Sequence, residues 1–303
     1  MKKLTVLFAV ALFSLSYPAL SQEQGMQPTQ AIVRVPRSEG TVINKADVQI
    51  KVNGHGVPVS RWRPLVGRMG SVELAILIDD GLRGNFATNV SDIKRFAVGL
   101  PPTISAAVGY MQNGRVNIST GFTTDRDAIG KSVRIPIGQQ GVSGSAYFCL
   151  SDLAKNWPTK TGLPRVVVMI TNGIDYYNGS TSPLNQDSPY VETAVRDAQR
   201  NGVTVYAIPW NNSSFGGGQG SFSGQNYLSQ VAEGTGGELL TQGSINPPNI
   251  APYLEKLQHA MSESYVAGFD APAGKRGVQL KVSVKGQKKV RAPQFIYAGN
   301  AVE

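Results

Sequence analysis

Apolar and polar positions in the middle of the chain follow two different periods. A continuous apolar run of strand length, typical of a strand buried on both faces, covers residues 74–78, and mainly apolar segments at 165–171 and 203–210 predict two further strands. Apolar residues recurring every three or four positions indicate helices over residues 86–97, 145–157, 189–201 and 250–262. Strands that alternate with helices of this length are joined by right-handed crossovers. The pattern therefore predicts an α/β fold with a doubly wound, mainly parallel sheet.

Shorter elements complete this predicted sheet. Two strand-like runs, 105–112 and 115–122, flank Asn113-Gly114, a pair of residues that is typical of a tight hairpin. The remaining short elements are a helix at 125–133, a helix at 227–233 and a strand at 238–241.

On both sides of this region apolar and polar residues alternate with a period of two, which predicts small β-elements. Residues 31–65 contain a second hairpin signal, and alternation after residue 263 indicates strands at 264–270, 278–285 and 290–297. The ends of an inserted domain tend to lie close together, so the two flanks are expected to pair. The predicted parts are a β-hairpin element with a linker at 22–70, the α/β domain at 71–263 and a β-tail at 264–303.

The first residues have the layout of an export signal. Lys2 and Lys3 precede an apolar stretch, and Ala19-Leu20-Ser21 supplies the small residues of a cleavage site. We expect residues 1–21 to be removed as a signal peptide and the product to be periplasmic or secreted. Later apolar runs are shorter than the roughly 20 residues of a membrane-spanning helix, so no transmembrane segment is expected in the mature chain.

Composition narrows the classes of partner. Charged residues make up 16% of the 303 residues, with a net charge of +9. The Lys and Arg residues are scattered and are not interleaved with aromatic residues as in single-strand binders, so nucleic acid is not an expected partner. Cys149 is the one cysteine, which excludes an internal disulfide, and its helical surroundings predict a buried apolar role.

Polar residues follow two of the predicted buried strands, as Asp79-Asp80-Gly81 and Thr171-Asn172-Gly173. Ligands of open α/β sheets bind beyond the carboxyl ends of the strands. Thr123-Thr124-Asp125 opens a helix after the hairpin, and Gly234-Thr235-Gly236-Gly237 precedes the last strand. With these features the chain resembles the von Willebrand factor A (VWFA) family, and in particular the secreted acidobacterial-type VWFA-related proteins. The resemblance implies a VWFA/Rossmann-like fold over residues 72–262.

The resemblance also implies a metal-ion-dependent adhesion site. In the family, one strand ends in Asp-x-Ser-x-Ser, a threonine begins a later helix and another strand ends in Asp-Gly, and together they bind Mg²⁺. Here Asp79 keeps the first position, Gly81 and Arg83 replace the two serines, and Ser145 and Asn172 stand for the threonine and the last aspartate. The site is therefore degenerate. Asp79, Ser145 and Asn172 would be the ligands of any residual metal, and strong Mg²⁺ binding is not expected.

A ligand-binding edge without a metal is the prediction that remains. Its candidate contacts are Asp79, Asp80, Arg83, Ser145 and Asn172. Arg83 lies on the same turn as the two aspartates, and we expect its guanidinium to supply the positive charge in place of the metal. The alternative is that Asp79 and Asp80 only accept hydrogen bonds from backbone N–H groups at the start of the following helix.

Two other motifs, a glycine-rich segment and a partial acyl-transferase signature, do not establish a functional site. The glycine-rich segment 216–224 lacks the spacing of phosphate-binding loops, so it is expected to be a flexible surface loop. Ser91-x-x-Lys94 and Lys160-Thr-Gly162 match two of the three signatures of serine acyl-transferases. The Ser-Asp-Asn signature is absent, and Lys160 lies in a connection rather than on a strand.

Aromatic residues gather near the same rim of the predicted sheet: Tyr110, Tyr147, Tyr176, Tyr177, Trp210, Phe215 and Phe222. They are interpreted either as anchors of a protein-binding surface or as packing beneath long loops.

The leading prediction is an exported, non-enzymatic binding or adhesion-type module for a protein or cell-envelope ligand, with no cofactor. The alternatives are a periplasmic serine acyl-transferase-like enzyme and a structural subunit of an envelope assembly.

Overall fold

The computed structural model describes residues 25–36, 42–82, 84–178, 186–210, 219–241 and 249–301. The predicted signal peptide, Arg83 and residues 216–218 of the glycine-rich segment lie outside the described residues. The side chains of residues 84, 85 and 219–222 are not described either.

The described chain folds into twelve strands and six α-helices. The strands are β1 Met26–Arg34, β2 Val48–Val52, β3 His55–Val57, β4 Arg61–Pro64, β5 Val72–Asp79, β6 Ile104–Gln112, β7 Arg115–Thr123, β8 Arg165–Thr171, β9 Val203–Pro209, β10 Ser264–Pro272, β11 Val278–Val284 and β12 Phe295–Ile296. The helices are α1 Val90–Val98, α2 Arg126–Ser132, α3 Ala146–Lys155, α4 Pro189–Arg200, α5 Gln219–Gly234 and α6 Ala251–Ser262. Within the described ranges, none of these helices has both the length and the apolar character needed to cross a membrane.

Five strands form the central sheet in the order β7-β6-β5-β8-β9. The strands β5, β6, β8 and β9 are parallel, and β7 is antiparallel to β6. The β6–β7 turn at Asn113-Gly114 has φ values of 48° and 71°, the positive values that a tight hairpin turn requires. All eight residues of β5 are buried, as expected for a strand covered on both faces. The predicted doubly wound fold is confirmed.

Helices cover both faces of this sheet, and alternate residues of β5 serve the two faces. Leu74, Ile76 and Ile78 belong to the core that includes α1, α2 and α6. Ala75 and Leu77 belong to the second core, which includes α3, α4 and α5. The continuous apolar run in the sequence therefore reflects a strand between two cores.

Strands from both flanks pair with each other, as predicted. In one sheet β10 lies between β1 and β4, and the β1–β10 register runs from Met26 opposite Pro272 to Arg34 opposite Ser264. The other sheet has the order β12-β11-β2-β3. Both sheets contribute to a third apolar core. Arg34 connects this part to the central domain through ion pairs with Glu238 and Glu263.

The start of α5 differs from the prediction. The helix begins at Gln219 rather than at residue 227, so most of the segment predicted as a loop is helical. Glycines have weak helix propensity, but here a tertiary contact outweighs it. At Gly224 a Cβ atom would lie 2.2 Å from the backbone oxygen of Asn172, which shows how closely the helix approaches the end of β8.

Two predicted strands are shorter than expected. In the segment 238–241, Leu239 forms only an isolated bridge to Ala207 beside β9. In the segment 290–297, only β12 is a strand, with one more bridge between Arg291 and Arg34. Alternation of apolar residues indicates which face is buried, but it does not determine how long a partner strand runs alongside.

Replacing Gly224 with alanine tests the contact between α5 and the end of β8. Because the new Cβ would overlap the oxygen of Asn172, the helix or the loop has to move. We expect Gly224→Ala to lower the free energy of unfolding by about 1–3 kcal/mol, as overpacking does in other cores. Gly121→Ala is the matched control, since no atom lies within 4 Å of its Cβ position. Equal urea midpoints for the two variants would contradict the contact.

Candidate functional site

The carboxyl ends of β5 and β8 are neighbours at the point where the strand order reverses. After β5 the chain continues to α1 on one face of the sheet, and after β8 it continues to α4 on the other face. In α/β proteins the segments that depart from such a point separate and leave a crevice, which ligands commonly occupy. Asp79 ends β5 and Thr171 ends β8, so both residues lie at this crevice.

Asp79 is buried and receives hydrogen bonds from three parts of the chain. Its Oδ2 atom accepts from Thr171 Oγ1 at 2.7 Å and from Ser143 Oγ at 3.3 Å. Its Oδ1 atom accepts from the backbone N–H of Gly81 at 3.0 Å. Burial raises the pKa of Asp79 above its ordinary value, and these three hydrogen bonds offset only part of that effect. The carboxyl group connects β5, β8 and the segment before α3.

Asp80 is also buried but has different partners. Arg134 Nη1 donates to Oδ1 at 2.6 Å, the backbone N–H of Ile137 donates to the same oxygen at 3.2 Å, and the Gln112 amide donates to Oδ2. Burial disfavours the charged form, but the Arg134 guanidinium and the other donors outweigh it and hold the pKa of Asp80 below its ordinary value. Arg134 is held in turn by the ring of Tyr110, whose centre lies 3.7 Å from the guanidinium carbon.

Residues 134–145, called the edge loop below, cover the end of β5. The N–H of Gly138 donates to the backbone oxygen of Asp80 at 3.0 Å. A Cβ atom at Gly81 would lie 2.8 Å from the backbone oxygen of Gln139 and 3.2 Å from the nitrogen of Gly141. The backbone of the edge loop therefore fills the space into which a side chain at position 81 would project, and this close approach requires glycine there.

Ser145 and Asn172 are buried at the same edge. The Ser145 hydroxyl caps α3 by accepting from a backbone N–H of the first helical turn at 3.3 Å. The backbone of Ser145 also bridges to Asp175 in the segment after β8. The amide of Asn172 accepts from the N–H of Ile174 at 2.9 Å and donates to the Tyr176 hydroxyl at 3.4 Å.

Four of the five predicted site residues thus lie at one edge of the sheet: Asp79, Asp80, Ser145 and Asn172. Arg83 lies outside the described residues, so its pairing with the aspartates stays a prediction. The cation that the described structure places on Asp80 is Arg134, 54 positions further along the chain. Sequence reasoning missed Arg134 and also Ser143, because no local spacing connects either residue with the end of β5.

The alternative prediction, that both aspartates only accept hydrogen bonds from the backbone that follows their strand, holds in part. Asp79 does accept a hydrogen bond from the backbone just after its strand, at Gly81. The backbone donor to Asp80 belongs instead to the edge loop, at Ile137. The two carboxyl groups have separate sets of partners, because neighbouring side chains at the end of a strand point apart.

Exposed apolar side chains surround this buried polar cluster. Ile135 and Ile137 of the edge loop are 53% and 66% exposed, and Tyr176 and Tyr177 after β8 are 40% and 60% exposed. The ring of Tyr177 lies against the edge loop, 2.9 Å from the Cβ position of Gly144. We call Ile135, Ile137, Tyr176 and Tyr177 the rim patch.

For three of the aromatic residues predicted near the rim, the packing interpretation holds. Tyr110, Tyr147 and Trp210 are buried, and the hydroxyl of Tyr147 donates to the backbone oxygen of Gly173 at 2.6 Å. These three side chains are therefore not anchors of an exposed binding surface. Phe215 and the side chain of Phe222 lie outside the described residues.

The residues at this edge do not fit a Mg²⁺ ion. Mg²⁺ needs oxygen ligands in near-octahedral geometry around one point. The carboxyl oxygens of Asp79 accept three hydrogen bonds from the chain itself, and Asp80 is paired with Arg134. The backbone of the edge loop occupies the space beside Gly81 where the family motif has a hydroxyl. In the described ranges, no three His, Cys, Asp or Glu side chains are grouped so as to hold a metal ion.

No family model and no curated protein matches the chain. Solved structures do resemble it. An aerotolerance-related membrane protein from Bacteroides fragilis matches at 13% identity and a TM-score of 0.41, over 63% of this chain and 98% of that one. The SpRpn10 VWA domain matches at 12% identity and a TM-score of 0.40, over 61% of this chain and 95% of that one. Proximal thread matrix protein 1 from the mussel byssus, with a zinc-occupied MIDAS motif, matches at 15% identity and a TM-score of 0.40, over 67% of this chain and 48% of that one.

The architecture of the described chain is the one that the sequence predicts. The first strand of the α/β domain, β5, is central, the edge strand β7 is antiparallel, and the polar cluster lies where the strand order reverses. The protein has a doubly wound, Rossmann-like α/β fold. Its α/β domain keeps an aspartate at the end of β5, at Asp79, and has a glycine at position 81, where the VWFA motif has a serine.

Asp80→Asn tests the pairing with Arg134. Since the native pKa of Asp80 lies below the unfolded value of about 3.9, the carboxylate stabilises the fold above that pH. At pH 7 we expect the variant to lose about 1–2 kcal/mol of unfolding free energy, less than for a fully buried pair because the Arg134 side chain is 36% exposed. The loss should shrink as the pH falls through the native pKa. Urea unfolding from pH 3 to 7 measures this loss, with Asp92→Asn, whose ion-pair partner Arg95 is exposed, as the control.

Asp79→Asn provides the contrast in the same experiment. Burial raises the native pKa of Asp79, so its contribution to stability is fully present below about pH 3.9 and is lost as the pH rises through the native value. At pH 7 we expect the variant to lose less unfolding free energy than Asp80→Asn, because the uncharged asparagine avoids the cost of burying a charge, which offsets the loss of one acceptor oxygen. A loss at pH 7 as large as that of Asp80→Asn would contradict the raised pKa.

Proposed function

We propose that this protein is an exported, non-enzymatic binding module that recognises a protein or a cell-envelope polymer at the carboxyl edge of its VWFA domain, without a bridging metal ion. The observation that carries the proposal is the rim patch, whose four apolar side chains are exposed beside the crevice. The leader pattern of residues 1–21 supports export.

The rim patch has the chemistry of a protein-binding surface. Tyrosine presents a large apolar ring with a polar tip at low entropic cost, and such residues often dominate binding energy at interfaces. Ile135 and Ile137 add apolar area on the neighbouring edge loop. Side chains of this size are normally buried, so several of them around one crevice favour a partner that covers them.

The buried polar residues have a supporting role in this proposal. Asp79, Asp80, Ser145 and Asn172 were candidate ligand contacts, but their polar groups are engaged within the chain. We propose that they fix the edge loop and the segment after β8 in one arrangement. A preformed surface loses less conformational entropy on binding, which increases affinity.

The positions of the acyl-transferase signatures favour a binding module over an enzyme. Ser91 and Lys94 are exposed on α1, and the Ser91 hydroxyl donates to the backbone oxygen of Thr88. Lys160 lies in the connection before β8, at the amino end of that strand. A serine nucleophile needs a base within hydrogen-bond reach, and no contact in the described ranges joins these signatures. Covalent labelling of Ser91 by an acylating probe would support the enzyme instead.

Capture of a ligand from an envelope extract tests the binding function. The mature chain is immobilised beside two double variants, each of which replaces two exposed apolar or aromatic side chains with serine. Ile137→Ser/Tyr177→Ser removes part of the rim patch, and Val42→Ser/Met69→Ser removes two other exposed apolar side chains. We expect the rim variant to lose at least about tenfold in captured ligand, a loss of about 1.4 kcal/mol, and the control to retain it. Equal capture by both variants would contradict a role for the rim patch.

Stability in the presence of metal ions tests the second part of the proposal. A ligand that binds the native state raises the melting temperature, whereas a metal ion that does not bind leaves it unchanged. We expect no shift of the melting temperature with millimolar Mg²⁺ or Mn²⁺, nor with a chelator. Gly81→Ser restores the hydroxyl of the family motif, but its Cβ would lie 2.8 Å from the oxygen of Gln139, so the variant should be less stable and equally indifferent to metal. A clear upward shift of the unaltered protein with Mg²⁺ would refute metal independence.

A further inference from the structure

A cavity of about 260 Å³ lies at the opposite end of the VWFA domain from the rim patch. It opens where the connection before β8, the C-terminal end of α4, strand β1 and the C-terminal tail meet. The residues that characterise it are Gln30, Lys160, Arg165, Arg200 and Asn300. This cavity has no part in the function proposed above.

All charged residues that line the cavity are positively charged. Lys160, Arg165 and Arg200 contribute three cationic groups, and none of the lining residues is an aspartate or a glutamate. Cations lining a concave surface with low-dielectric walls concentrate their field inside it. The cavity therefore attracts anions.

Arg165 is fixed in place by its neighbours. One guanidinium nitrogen donates to the backbone oxygen of Asn201 at 3.2 Å and the other to that of Thr159 at 3.3 Å. The guanidinium carbon lies 5.2 Å from the centre of the Trp157 ring. Burial lowers the pKa of Arg165, and the nearby carboxylate of Glu73 offsets this only in part. The hydrogen bond from Arg165 to Asn201 also places a positive charge at the C-terminal end of α4. This end is the negative end of the helix dipole, and without the arginine it would repel an anion.

Lys160 and Arg200 remain available to a ligand. Neither side chain forms an ion pair with any residue in the described ranges. Arg200 lies over the ring of Tyr297, with its guanidinium carbon 4.9 Å from the ring centre, which restricts its position. A guanidinium has a planar set of donors that matches two oxygens of one phosphate group, and a lysine adds a compact charge.

The remaining wall of the cavity is held by paired amides. The backbone N–H of Gln30 donates to Asn300 Oδ1 at 2.7 Å, and Asn300 Nδ2 donates to the Gln30 oxygen at 3.0 Å. The Gln30 side chain donates to the backbone oxygen of Gly162 at 2.9 Å. These bonds attach both flanks of the chain to the connection that carries Lys160, so the wall is preformed before any ligand arrives.

We propose that this cavity binds a small anion that carries a phosphate group. Three cationic groups, in a lining that contains no aspartate or glutamate, suit the double negative charge of a phosphate monoester. The volume is slightly below the roughly 300–1,000 Å³ of sites for drug-sized ligands, which suits a phosphate with at most one small organic group.

Isothermal titration calorimetry at constant ionic strength tests the site, with inorganic phosphate as the probe. Lys160→Gln/Arg200→Gln removes the two available cations, and Lys94→Gln/Arg115→Gln removes the same charge from exposed positions elsewhere. We expect the first variant to bind phosphate at least about tenfold more weakly than the unaltered protein, and the control to bind it unchanged. If the first variant melts at a lower temperature without phosphate, Lys160→Gln alone replaces it, with weaker binding again expected.

Glucose 6-phosphate and citrate separate the sources of the anion. Tighter binding of glucose 6-phosphate than of inorganic phosphate supports a phosphorylated organic ligand, and the reverse supports free phosphate. Three results would overturn the proposal: no binding of either phosphate compound, equal weakening in both double variants, or binding of citrate at least tenfold tighter than of either phosphate compound.

Discussion

The hydrogen bonds of the buried Asp79 carboxyl group are the constraint on which the functional edge depends. They join the ends of β5 and β8 to the segment before α3, at the point where the strand order reverses. A buried carboxyl group without donors would be costly, so this position requires the hydroxyls of Thr171 and Ser143. The bond from Ser143 also attaches the edge loop to the end of β5.

Charge at this edge is balanced inside the protein. Burial disfavours ionisation of Asp79, and Arg134 compensates the charge of Asp80. The backbone of the edge loop packs closely against Gly81. Packing and an internal cation thus hold the two carboxyl groups of this edge in place.

The two flanks of the chain extend the domain at its other end. Their strands pair in two sheets, and Gln30 and Asn300 join β1 to the C-terminal tail beside β8. Because the basic cavity includes residues from both flanks and from the α/β domain, it exists only when all three parts are folded together. The domain therefore carries an apolar surface at one end and a cationic cavity at the other.

Local patterns were sufficient to predict the class of fold. The apolar run in β5, the Asn113-Gly114 turn and the helical spacing of α4 each depend on neighbours in sequence, so the order of elements and the position of Asp79 could be inferred. The contacts of the site depend on residues far apart in the chain. Arg134 reaches Asp80, and the backbone of Asn172 excludes a side chain at Gly224, only because the sheet brings them together. Tertiary packing likewise buried Tyr110 and Trp210, left Tyr176 and Tyr177 exposed, and extended α5 through glycines whose own propensity opposes a helix.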